Sequence, residues 1–108
     1  MNKNWTCLVA DLVEALKIDA RVKVKNYEQP SDWGWIIVPT EGYLETVEFG
    51  PYPEYEIEWI EIKSERLNYI GKLIPPKRIN LLNDILIKIN SLNYEIDSDI
   101  KVVKIYPN

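Results

Sequence analysis

The sequence predicts an α+β domain: an antiparallel sheet of about five strands, in the chain order helix, four strands, helix, strand, with the helices packed on one face. Three observations predict it. Apolar residues recur at three- and four-residue steps near both ends of the chain, the period between them drops to two, and the strand-like segments follow one another without intervening helices. With 108 residues, 46% of them apolar and 28% charged, residues 1–108 form one domain that can bury a core without help from a metal or a disulfide.

The first helix is expected from about Asn4 to Lys17. Trp5, Leu8, Val9, Leu12, Val13 and Leu16 make its apolar stripe, Asp11, Glu14 and Lys17 lie opposite, and Asn4 has the side-chain oxygen of an N-cap. From Ala20 to Asn26 the alternation of Ala20, Val22 and Val24 with Arg21, Lys23 and Lys25 reads as a half-buried strand. Trp33 to Val38 is rich in aromatic and branched residues and reads as the second strand, which Pro39 ends. Tyr43 to Phe49 is the third. Gly50-Pro51-Tyr52-Pro53 is expected to be a loop, because proline cannot donate to a ladder. The fourth strand, Tyr55 to Ile62, changes phase: Tyr55, Ile57 and Trp59 share one side, Ile60 and Ile62 the other, which predicts a bulge near Trp59 and Ile60. Ser64 to Ile74 carries no decisive period. After Pro75-Pro76, the spacing of Ile79, Leu82, Ile85, Leu86, Ile89 and Leu92 predicts a helix from Lys77 to Leu92, closed by Asn93. Ile100 to Tyr106 is the last strand.

These residues carry a resemblance. Asn4-Trp5 opening a helix, Trp33-Gly34-Trp35, the block Glu56-Ile57-Glu58-Trp59-Ile60-Glu61-Ile62, a proline-interrupted approach to a helix and a strand ending in Tyr106 resemble a set of short bacterial proteins of unassigned function. In size and composition the chain also resembles the immunity partners of bacterial polymorphic toxins. The resemblance implies a compact α+β cytoplasmic protein and brings no catalytic residue with it.

Chemistry is narrowed by what the composition lacks. Without histidine, Ser-His and Cys-His nucleophile pairs and imidazole metal sites are excluded. The single Cys7 suits a reducing compartment and has no base to activate it. Glycines at 34, 42, 50 and 71 form no dinucleotide fingerprint or P-loop, and Asp97-Ser98-Asp99 reads as a turn, so neither a cofactor nor a metal is expected. A net charge of -4 and a pI near 4.8 argue against nucleic acid. Apolar runs such as Trp35-Ile36-Ile37-Val38 are too short to cross a membrane, and no secretory pattern precedes the first helix, so a cytoplasmic protein is expected. Ten lysines against three arginines fit a low-GC bacterial gene.

The distribution of charge is the strongest lead to function. Residues 1–40 are neutral overall, residues 41–65 carry eight acidic groups and one basic, and residues 66–108 carry seven basic and four acidic. On an extended strand Glu54, Glu56 and Glu58 would stand about 6.5 to 7 Å apart on one face. One reading pairs them across strands with Arg21, Lys23 and Lys25, or with Lys101 and Lys104. The other leaves them outward for a basic protein partner, with Trp33, Tyr52 and Tyr55 as aromatic anchors, while Trp5, Trp35 and Trp59 fill the core. The expected function is a non-catalytic interaction module, such as an immunity-type inhibitor. The alternative is a small-molecule binder or enzyme with Glu58, Tyr55 or Trp35 in a pocket between sheet and helices. A structural subunit joined through a strand edge fits the same sequence.

Overall fold

The computed structural model describes residues 4–107. In chain order it has α1 (Trp5–Leu16), β1 (Ala20–Val24), β2 (Ile36–Ile37), β3 (Tyr43–Thr46), β4 (Tyr52–Pro53), a 3-10 turn (Glu54–Glu56), β5 (Ile57–Lys63), β6 (Glu65–Asn68), β7 (Lys77–Asn80), α2 (Leu82–Ile89), β8 (Asn93–Asp97) and β9 (Val102–Tyr106). The α+β class is as expected, but the single five-stranded sheet is not found. The strands instead form a four-stranded sheet in the order β1-β5-β9-β8, a three-stranded sheet β2-β3-β4 and the two-stranded hairpin β6-β7, with antiparallel pairing throughout.

One core holds the molecule together. Trp5, Val9, Leu12 and Val13 of α1 and Ile85 and Ile89 of α2 join the inward residues of the large sheet, from Ala20, Val22 and Val24 through Ile57, Ile60 and Ile62 to Val103 and Ile105. Ile36 and Leu44 extend it into the three-stranded sheet. Burial of this apolar surface is the main favourable term in folding. The phase change in β5 has the expected cause, one residue earlier than expected. Lys23 pairs with Trp59 and Val24 with Ile57, so Glu58 is the extra residue that leaves the ladder. With it out of phase, Ile57 and Ile60 both reach the core, at 1% and 0% exposure.

Five further expectations are corrected. The strand expected over Trp33 to Val38 shrinks to Ile36–Ile37, Gly34 making only a two-bond bridge to Ala20, and Trp35 is 46% exposed rather than in the core. The proline-containing loop includes β4, because Pro53 stands on a sheet edge and needs no donor there. Gly50 fits a φ of 133° just before it, where an added Cβ would lie 2.8 Å from the Glu45 Cα. The helix expected from Lys77 starts at Leu82: Lys77–Asn80 pairs with Glu65–Asn68, and the Asn80 side chain accepts a hydrogen bond from the Leu82 amide at 2.9 Å. The helix ends on Asn90, and Asn93 opens β8, a strand for which every side chain is exposed. Finally, Asn4 sits at the N-cap position, but its side chain makes no cap bond; its amide donates to Glu54 Oε2 at 3.1 Å.

Asp97 does form the expected turn, its side chain accepting from the Asp99 and Ile100 amides. Among the described residues no helix is long and apolar enough to cross a membrane.

Candidate functional site

The outward face of the four-stranded sheet is a row of alternating charge. Arg21 stands opposite Glu61, Glu61 opposite Lys104, and Lys104 opposite Glu95. Arg21 Nε donates to Glu61 Oε1 at 2.7 Å and Lys104 Nζ lies 4.0 Å from Glu61 Oε2, so this buried carboxylate is compensated from both sides. The cations are shared with aromatic rings. Lys104 Nζ lies 4.5 Å from the Trp59 ring centre, and Trp33 is covered by Arg21 at 4.6 Å and Lys63 at 4.9 Å. Lys23 reaches Glu58 at 3.5 Å. Cross-strand pairing therefore takes up Glu58 and Glu61 on this sheet, and Arg78 takes up Glu65 on the β6-β7 hairpin at 3.9 Å.

Glu54 and Glu56 escape it because they are not on the strand. Pro53 leads into the 3-10 turn, which carries Glu54, Tyr55 and Glu56 away from the ladder before β5 begins at Ile57. Among the described residues, Glu41, Glu45, Glu48, Glu54 and Glu56 have no Lys or Arg within ion-pair distance. Glu54, Tyr55 and Glu58 line a groove of about 720 Å³ together with Tyr43, Trp5, Ile57 and Lys25. Tyr55 is 75% exposed and Tyr43 43%. The groove thus joins three of the six sequence-derived site residues, Glu54, Tyr55 and Glu58.

The other three lie elsewhere. Trp33 is held half-buried beneath Arg21 and Lys63 and does not line the groove. Glu56 is half-buried, and its carbonyl accepts the Lys25 amide at 2.8 Å. Tyr52 packs edge-on against Tyr27, with ring centres 5.7 Å apart, and against Phe49 at 6.3 Å. Burial pushes the Tyr52 phenol from its ordinary 10.0 up to about 12, assisted by the Tyr27 hydroxyl and by the charges of Glu48 and Glu56. A folded-state value above the unfolded one means that the neutral phenol favours the fold. Its contribution is complete below pH 10 and is lost as pH rises toward about 12. In an alkaline absorbance titration, the difference between wild type and Tyr52→Phe should therefore be centred near pH 12; a component centred near 10 would contradict this packing. Nearby, Glu48 accepts the Asp32 amide at 3.1 Å, and a hydrogen bond with the Asp32 carboxyl raises it above the usual carboxylate range.

A second cavity, of about 510 Å³, lies where the end of α1 meets the β6-β7 hairpin. No local motif announces it, since its cations stand at positions 17, 63, 66, 78 and 101 and converge only through the fold. The one available signal was the net positive charge of residues 66–108. Among the described residues, no group of three His, Cys, Asp or Glu side chains could hold a metal ion.

No curated protein and no solved structure matches this chain. One family model does, over residues 1–107, so that the helix, the displaced Glu54–Glu56 turn and the polar sheet face all fall within it: the chain belongs to the family of unknown function DUF6678.

Proposed function

We propose that the protein is a non-catalytic interaction module whose acidic, tyrosine-lined groove receives a basic segment of a protein partner. The observation that carries this reading is the set of five glutamates, 41, 45, 48, 54 and 56, with no Lys or Arg of the described residues within ion-pair distance, of which Glu54 lines the groove itself. Carboxylates so placed speed encounter with a cationic partner, and Tyr43 and Tyr55 supply rigid apolar area at low entropic cost. Chemistry in a buried pocket is supported less well: Glu58 is 43% exposed and Tyr55 75%, so neither is desolvated, and Trp35 lies outside the groove. The likeness to bacterial immunity proteins in size and acidity fits an inhibitor that covers a basic toxin surface in the cytoplasm.

A random-peptide display screen on the immobilised protein tests the reading. Enriched peptides should carry Lys or Arg beside apolar residues. Their affinity should fall as salt rises, and the double variant E54K/E56K should weaken them about tenfold or more. Absence of enrichment, or equal binding by the double variant, would reject the groove as the binding surface.

A further inference from the structure

We infer that the cavity at the end of α1 is a binding site for the phosphate group of a small organic phosphate. This reading is independent of the acidic groove. The cavity receives a side chain from each of five places: Lys17 at the α1 terminus, Lys63 at the end of β5, Arg66 on β6, Arg78 on β7 and Lys101 before β9. Among the described residues, Asp19 and Glu65 are the only carboxylates in its lining. Glu65 is engaged by Arg78 at 3.9 Å, and Lys63 lies over Trp33. Lys17, Arg66 and Lys101 therefore face the cavity with no carboxylate of the described chain in ion-pair contact.

Arg66 decides the matter. It is half-buried, its Nε is covered by protein, and that donor has no hydrogen-bond partner. A covered donor without a partner is costly and uncommon in native chains, and the rest of this half-buried side chain lines the cavity, where an anion would offset its charge. Its position is fixed by the backbone: Arg66 pairs with Ile79 across the hairpin, and Ser64 bonds the Lys101 carbonyl through both its amide and its hydroxyl. Arg66 and Lys101 are thereby both held in the lining of one cavity.

The chemical class of ligand follows from shape as well as charge. An oxyanion with several acceptor oxygens matches a guanidinium flanked by ammonium groups, as phosphate does. A volume of about 510 Å³ suits a small molecule, and the lining residues Tyr69, Ile100 and Leu67 are 73%, 57% and 46% exposed, ready to cover an apolar or aromatic body. Five cations from five separate places in the fold line one cavity, the arrangement of a small-anion site, and competition with an oligonucleotide distinguishes it from a nucleic-acid track.

The test is calorimetric titration of the full chain with inorganic phosphate, AMP, adenosine and a single-stranded oligonucleotide. AMP should bind saturably in about the millimolar range or tighter, phosphate more weakly, and adenosine not measurably. Arg66→Gln should weaken AMP binding about tenfold or more while the far-UV spectrum and thermal transition stay those of a folded protein. Should Arg66→Gln fail to fold, the exposed Lys17→Gln and Lys101→Gln variants carry the same expectation, each losing several-fold. No saturable signal with AMP or phosphate up to about 10 mM overturns the proposal. So does undiminished binding by the folded variants, or an oligonucleotide that outcompetes AMP.

Discussion

Ile60→Ala is expected to remove about 4 kcal/mol of unfolding free energy, out of the roughly 5–15 kcal/mol that single domains have. Ile60 is 0% exposed on β5, which has a strand on either side, and it pairs with Val22 of β1 and Ile105 of β9. Truncation takes away the transfer energy of three carbons and leaves a void that neither neighbour can close, since both are fixed by ladder bonds. Urea unfolding followed by tryptophan fluorescence would report the loss as a lower midpoint at unchanged slope. Ile100→Ala is the control: at 57% exposure it should cost no more than about 0.5 kcal/mol. If Ile60→Ala cost as little as Ile100→Ala, the register that sets Ile60 between Val22 and Ile105 would have to be wrong.

Arg21→Met should be the next most damaging change, at about 3 kcal/mol, because it strands a carboxylate that has only 8% of its side chain exposed. Lys104 limits the damage without preventing it, being 4.0 Å from Glu61 where Arg21 is 2.7 Å away. The Arg21→Met/Glu61→Leu double variant should recover much of the loss, since an apolar pair in this position has no charge to desolvate. A double-mutant cycle in urea therefore yields a coupling energy of about 2 kcal/mol between the two side chains. Additive losses would mean that the row Arg21, Glu61, Lys104 and Glu95 is an arrangement of independent surface charges.

The parts of this fold legible in the sequence are those where one face is buried and the other wet. The α1 stripe and the Ala20 to Val24 alternation were readable for that reason, and so was the phase change in β5, to within one residue. Where burial gives no contrast, the sequence misleads. β8 exposes all its side chains and so has no period to detect. The stripe Ile79, Leu82, Ile85, Leu86, Ile89 and Leu92 runs through a strand, a helix and a turn, because pairing of β7 with β6 outweighs the local helical pattern. The candidate site divides in the same way. The concentration of acid in residues 41–65 was visible as composition, but the split that frees Glu54 and Glu56 and pairs Glu58 and Glu61 depends on where the 3-10 turn ends. Trp33 reads as an anchor in sequence and becomes a platform for Arg21 and Lys63 once distant strands meet. The cavity of scattered cations belongs to this second group entirely.

The interior position of β9 in the large sheet governs how the protein can be made. A growing polypeptide can assemble α1, β1 and β5 while the remainder is still inside the ribosome, but the far side of β5 then has nothing to bond with. Residues 102–106 must leave the exit tunnel before β8 can attach at all, since β9 is the strand that links it to β5. Until that moment Ile60 and Ile62 border a raw edge open to mispairing, so nascent chains stalled before residue 102 are the species that most need a chaperone.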